Sequence, residues 1–145
     1  MIGLLQRVSE ASVSVDGEIV GAIGAGLLVL VGVQPRDDEA SAVRLLDRLL
    51  GYRVFADEAG RMNRALRDTG GGLLLVPQFT LAADTRSGTR AGFSTAAPPG
   101  QARTLFAVLV EQARARHSQV GCGRFGADMK VALINDGPVT FWLES

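Results

Sequence analysis

The chain has 145 residues, 47% of them hydrophobic, and its 15 basic and 15 acidic side chains leave a formal net charge of zero. That length suits one hydrophobic core and is short for two, so a single domain over residues 1–145 is expected. No run reaches the roughly 18 apolar residues of a membrane span, and the neutral balance gives no broad basic field for nucleic acid, although a local patch survives inside a neutral total.

The N-terminal stretch Met1 to Val13 has no basic region followed by an apolar core and a small-residue cleavage site, so a cytoplasmic protein is expected. Ile2 to Val8 and Ala11 to Val15 are rich in β-branched residues, and Asp16-Gly17 turns the chain into Glu18 to Ile23 as a hairpin. Leu27 to Val33 is an unbroken apolar run, which reads as a central strand covered on both faces. Asp37 or Asp38 can cap a helix with Val43, Leu46, Leu49 and Leu50 on one stripe, and Gly51 stops it. Leu73 to Leu81 reads as a strand that contains Pro77. A second helix is predicted from Gln101 to His117, with Ala102, Leu105, Phe106, Leu109 and Ala113 inward. Lys130 to Asn135 and Val139 to Leu143 complete the strands. The expected fold is α+β: a curled or barrel-like, mainly antiparallel sheet with two helices packed on it.

Familiar catalytic templates are missing: no nucleophile elbow, Walker loop, zinc-protease motif or dinucleotide fingerprint is found. A lone cysteine, Cys122, excludes an internal disulfide and a thiolate cluster, and a lone histidine, His117, argues against a histidine metal site. No metal and no cofactor are expected. His117 reads as a solvated cation at a helix C-terminus rather than a general base, Cys122 as a small, partly buried residue, and Asp57-Glu58 as a turn. Two segments stand out. Pro77-Gln78-Phe79-Thr80-Leu81 ends an apolar run and precedes a polar loop with Arg86 and Arg90, and Asn135 to Phe141 holds a Gly137-Pro138 step between two strands. On the residues alone these are equally an edge strand that accepts a proline and a tight turn.

Several separated motifs together resemble the D-aminoacyl-tRNA deacylases. They are Gln78-Phe79-Thr80-Leu81 with Ala83-Asp84-Thr85, Gly123-Arg124-Phe125 with Ala127-Asp128-Met129, and Asn135-Asp136-Gly137-Pro138-Val139-Thr140. Gln6-Arg7-Val8, Ala11-Ser12-Val13, Gly24 to Leu30 and Leu50-Gly51-Tyr52-Arg53 extend the likeness over nearly the whole chain. The resemblance implies a homodimer with a barrel-like fold, acting on aminoacyl-tRNA. Its reaction would remove D-amino acids, and glycine mischarged on alanine tRNA, from the terminal adenosine.

The same resemblance assigns expected roles. A cis Gly137-Pro138 step would reach across the dimer interface, and its carbonyls would hold the substrate's α-ammonium group so that an L side chain strikes the backbone. Gln78, Phe79 and Thr80 would face the ester, with the Phe79 and Thr80 N–H groups as oxyanion donors. Phe125 and Met129 would line the adenosine side, or serve as ordinary core residues, and Arg86 and Arg90 would meet phosphates or water. Two departures accompany the match: Pro77 stands where the family usually has serine, and Arg90-Ala91-Gly92-Phe93 replaces an Arg-Pro-Ser-Phe pattern. Pro77 removes a candidate nucleophile and leaves substrate-assisted hydrolysis through the ribose 2′-hydroxyl. It also leaves room for a non-catalytic tRNA-binding protein of the same fold.

Overall fold

A computed structural model describes all 145 residues. β1 runs unbroken over Ile2–Val15, where the sequence suggests two strands, because its partner changes partway while its extended conformation continues. Along one edge, residues 2–8 pair with β3 (Gly26–Gly32) and residues 11–15 with β2 (Glu18–Ile23), all antiparallel. Asp16 and Gly17 make the β1–β2 turn with φ of 51° and 79°, the positive values that a two-residue hairpin requires. Along its other edge β1 pairs antiparallel with β8 (Lys130–Glu144). β3 then pairs in parallel with β6 (Gly72–Pro77), and β6 with β7 (Val120–Cys122). The sheet is therefore mixed, ordered β2-β1-β3-β6-β7 with β8 on β1. A Cβ on Gly21 of β2 would lie 2.7 Å from the Cys122 carbonyl oxygen of β7, so the two ends meet and the sheet nearly closes into a barrel.

Two cores explain the unbroken apolar runs. Leu28, Leu74 and Val76 point into the barrel with Val8, Ala11 and Val13. Their chain neighbours Leu27, Val29, Leu73 and Leu75 point outward into a larger core beneath the helices. Strands covered on both faces lose the alternation of a half-buried strand. β3 and β6 also approach too closely for side chains at one point: a Cβ on Gly26 would sit 2.0 Å from the Gly72 carbonyl oxygen. Gly26→Ala is expected to lower stability by about 3–5 kcal/mol or to prevent soluble folding, as read from urea unfolding.

The outer core is covered by α1 (Glu39–Gly51) and α3 (Pro99–Arg116). Asp38 caps α1 through a reciprocal capping box with Ser41. The Ser41 N–H, then the Ser41 hydroxyl, hold the Asp38 carboxyl below its usual 3.8, so the cap's contribution is complete above that value and is lost on acidification through the lowered one. On α1, Ala42 and Leu45 join Leu46, Leu49 and Leu50 in the buried stripe, and Val43 is only half-buried. Gly51 is the last helical residue, not a stop beyond it: a Cβ there would lie 2.6 Å from Arg67 Nη2, and Arg67 Nε donates to the Leu50 carbonyl at 3.2 Å. Arg67 belongs to α2 (Leu66–Thr69), a single turn too short for periodicity to reveal. The small pair β4 (Phe55–Ala56) and β5 (Met62–Arg64) precedes it. α3 starts two residues before its predicted onset because Pro99 occupies a first-turn position, where no intrahelical donor is needed. No helix is long and apolar enough to cross a membrane.

Candidate active site

β6 ends at Pro77 and gives way to a 3₁₀ turn, Phe79–Ala82, where the sequence suggests a strand as far as Leu81. The proline is tolerated for a geometric reason. Even-numbered residues of this stretch face β3, as when the Gln78 N–H donates to the Val31 carbonyl at 2.7 Å. Odd-numbered ones face β7, as when the Gly123 N–H donates to the Leu75 carbonyl at 2.8 Å. Position 77 thus faces β7 just past that strand's last residue, Cys122, and a missing donor there breaks no ladder. The ring instead packs beside Gly123, where a Cβ would lie 3.3 Å from Pro77 Cδ.

The 3₁₀ turn sets the polarity of the site. Its first bond runs from the Leu81 N–H to the Gln78 carbonyl at 3.2 Å, and Ala83 bonds to the Thr80 carbonyl at 3.2 Å. The N–H groups of Phe79 and Thr80 precede that first bond and have no acceptor within the turn. The Gln78 side-chain amide donates to Thr80 Oγ1. Beside them opens a pocket of about 430 Å³, lined by Val76, Pro77, Gln78 and Phe79, by Phe125, Gly126, Ala127, Met129 and Val131, and by Ala97, Pro99 and Ala102. Four sequence-nominated residues, Gln78, Phe79, Phe125 and Met129, therefore share one cavity. Thr80 adjoins it through Gln78.

No aspartate, glutamate, histidine, cysteine or lysine lines this pocket, and no group of three or more His, Cys, Asp or Glu residues is placed to hold a metal ion. The Thr80 hydroxyl has the Gln78 amide as its bonded neighbour and no base. Thr80→Ala is accordingly expected to change kcat by less than about tenfold, whereas losing an activated nucleophile would cost orders of magnitude more. Phe79 is 58% exposed and meets Phe93 at 5.2 Å between ring centroids. Phe125 is sandwiched: Phe106 lies 6.5 Å away and the Arg103 guanidinium 4.8 Å over its ring.

Gly137 and Pro138 do not reach this pocket within the chain. They lie in β8, which is one strand over Lys130–Glu144 where the sequence suggests two with a turn between. Opposite them β1 spends two steps, Gln6 to Val8, while β8 spends five, Asn135 to Thr140, so residues 136–139 stand out as a loop-like excursion. The Gly137-Pro138 peptide is cis, and Gly137 has φ of 138°, a region closed to other residues in practice. The excursion is held from both sides. Arg7 Nε donates to the Asp136 carbonyl at 2.9 Å and Arg7 Nη1 to the Val54 carbonyl at 2.7 Å. Asn135 accepts from the Val139 N–H at 2.9 Å and donates to Thr140 Oγ1 at 2.8 Å. Exposed apolar side chains, Ile134, Phe141 and Trp142, flank it along β8.

The remaining sequence candidates resolve simply. His117 is half-buried, its Nε2 2.6 Å from the Gly71 carbonyl, so it joins α3 to the start of β6 instead of standing free in water. Cys122 is partly exposed, 3.5 Å from Arg114 Nη2. Asp57 forms a turn, accepting from the Ala59 and Arg61 N–H groups and from Asn63, and the Asn63 amide leads in lowering its pKa. Arg86 is taken up by Asp84 through two side-chain bonds at 2.9 and 2.8 Å, which hold the Asp84 carboxyl far below its usual range. Sequence reasoning missed the Arg7 clamp and the Arg103 cover on Phe125, because both join residues far apart in the chain and no periodicity marks them.

The architecture is that of a known class of small barrel. A solved structure described as a probable eukaryotic D-amino acid tRNA deacylase superposes with a TM-score of 0.85 over 99% of this chain and 98% of its own, at 17% identity. A second, the c-Myc DNA Unwinding Element Binding Protein, is 38% identical and superposes with a TM-score of 0.95 over 100% of this chain and 99% of its own. The family profile for D-Tyr-tRNA(Tyr) deacylase matches residues 4–144. D-aminoacyl-tRNA deacylases of Thioalkalivibrio sulfidiphilus and Ectopseudomonas mendocina are 69% and 67% identical, over 99% and 97% of this chain and 97% of each relative. The chain belongs to the D-Tyr-tRNA(Tyr) deacylase family.

Proposed function

We propose that this chain hydrolyses the ester between a D-amino acid and the terminal ribose of tRNA, and that glycine mischarged on alanine tRNA is a second substrate. The observation that carries the reading is a 3₁₀ turn whose first N–H groups, of Phe79 and Thr80, have no acceptor within it, standing at the edge of a pocket that Gln78 and Phe79 line and whose walls hold no titratable side chain. Such donors stabilise the oxyanion that forms when water attacks the ester carbonyl. The C–O bond to the ribose then breaks, the ribose oxygen takes a proton, and the amino acid leaves as its carboxylate. The ribose 2′-hydroxyl, adjacent to the ester, orients the water and relays the proton, so the protein contributes position more than acid–base chemistry. Phe125 and Met129 take the adenosine side. No cofactor is needed.

The Gly137 and Pro138 carbonyls accept the α-ammonium group, and the backbone behind them rejects an L side chain. Within one chain this segment is not at the pocket, so the constellation is completed in a homodimer in which each copy supplies Gly137-Pro138 to the other. The exposed Ile134, Phe141 and Trp142 beside it suit such an interface. Purified protein incubated with D-tyrosyl-tRNA and a chelator should release tyrosine. Retained tRNA binding with no release would favour the other reading, a binding protein that lost turnover with the usual serine, which Pro77 specifically raises.

A further inference from the structure

The outward side of α3 is not uniformly charged. Counting at 100° per residue, Arg103 and Arg114 fall about 20° apart, on the border of the helix that meets β7 and the segment after it. Arg116 falls on the opposite border and is paired with Asp47 of α1. The packing agrees with that count: Arg103 lies over Phe125, and Arg114 reaches Cys122 Sγ. Arg124 sits in the chain between those two contact points and is exposed. None of Arg103, Arg114 and Arg124 has a carboxylate within 4.0 Å, whereas Arg7, Arg86, Arg116 and Lys130 do. The acidic groups nearest in sequence do not neutralise them. Glu111, one turn before Arg114, makes no ion pair, and Asp128 is engaged by Lys130 at 3.4 Å.

We propose that Arg103, Arg114 and Arg124 form a phosphate track that begins at the pocket mouth and receives the sugar-phosphate backbone of the single-stranded 3′ end of tRNA. This rests on the deacylase reading for the identity of the RNA. Three arguments support it. The track is continuous with the pocket, because Arg103 covers the Phe125 ring that lines it. Its cations are unpaired in a protein of zero net charge, a local basic strip where composition gives no general one. Its length fits: eleven helical residues span about 16 Å, or about five stacked nucleotides at roughly 3.4 Å each. Arg86, which the sequence offered as a phosphate ligand, is already committed to Asp84.

The test is the salt dependence of binding of uncharged tRNA, compared between the wild-type chain and the double variant Arg114→Gln/Arg124→Gln. Arg103 is left intact because it touches Phe125. Each lost phosphate contact on a single strand lowers the slope of log affinity against log salt by about 0.7, so the double variant should lose about 1.4. Arg114→Lys/Arg124→Lys should recover most of it, which a purely structural role would not produce. An unchanged slope in the glutamine variant, or no tRNA binding by the wild type at low salt, overturns the track. Hydrolysis of D-tyrosyl-tRNA by the same wild-type preparation is scored separately. Turnover with an unchanged slope sinks the track alone, and a reduced slope without turnover sinks the deacylase reading and leaves the track standing.

Discussion

Gly137→Ala is expected to lower kcat/KM on D-tyrosyl-tRNA by about 100-fold, because a displacement of about 1 Å in a positioning group costs that much. The cause is local. At φ of 138° an added Cβ would lie 2.8 Å from Val139 Cγ2, 3.0 Å from the Val139 nitrogen and 3.1 Å from Arg7 Nη2. Backbone and clamp cannot both stay in place, so the excursion shifts, and with it the carbonyls proposed to accept the ammonium group. Strain of this kind costs about 1–3 kcal/mol, small enough for the domain to remain folded. Steady-state kinetics on folded variant protein checks this, and an unchanged kcat/KM would place Gly137 outside the substrate's reach.

A tRNA ending in 2′-deoxyadenosine and charged with D-tyrosine on its 3′-hydroxyl is expected to be cleaved at least about 100-fold more slowly than the ribose form, the usual range for losing a positioned proton-transfer group. The pocket walls provide no aspartate, glutamate, histidine, cysteine or lysine to take over that work. Single-turnover rates on the two esters make the comparison without interference from product release. Equal rates would mean that the protein activates water by itself, and would reopen Thr80 as a participant.

The elements set by local chemistry are the ones legible in the sequence. The Asp16-Gly17 turn, the Asp38 cap and the buried stripe of α3 each depend on neighbours a few residues away, and each falls where turn, cap and period place it, while the α1 stripe is shifted toward Ala42 and Leu45 and leaves Val43 half-buried. The parallel β3–β6 and β6–β7 pairings and the near-closure between Gly21 and Cys122 join distant segments, which periodicity does not encode. β8 is the instructive case. Asn135-Asp136-Gly137-Pro138 has the composition of a turn, yet the strand continues past it, because Arg7 of β1 grips the excursion and Asn135 ties its two ends together through Val139 and Thr140. The pocket is partly legible. Gln78 and Phe79 come from one motif and Phe125 and Met129 from another, and only the fold reveals that the two face each other across one cavity. Pro77 is the clearest local anomaly, and its explanation is also non-local: β7 ends one step too early to need its N–H.

That proline bears on the central claim, that stereochemical selection and catalysis here are both performed by the backbone. The most direct measurement is the ratio of initial rates on D-tyrosyl-tRNA and L-tyrosyl-tRNA with purified wild-type protein, with glycyl-tRNA alongside. Backbone selection predicts rapid release of D-tyrosine and glycine, with L-tyrosyl-tRNA spared by at least about 100-fold, the rejection that a blocking backbone imposes. Comparable release from the D and L esters would contradict it, because an acceptor pair that fixes the ammonium group against a blocking backbone cannot treat the two hands alike.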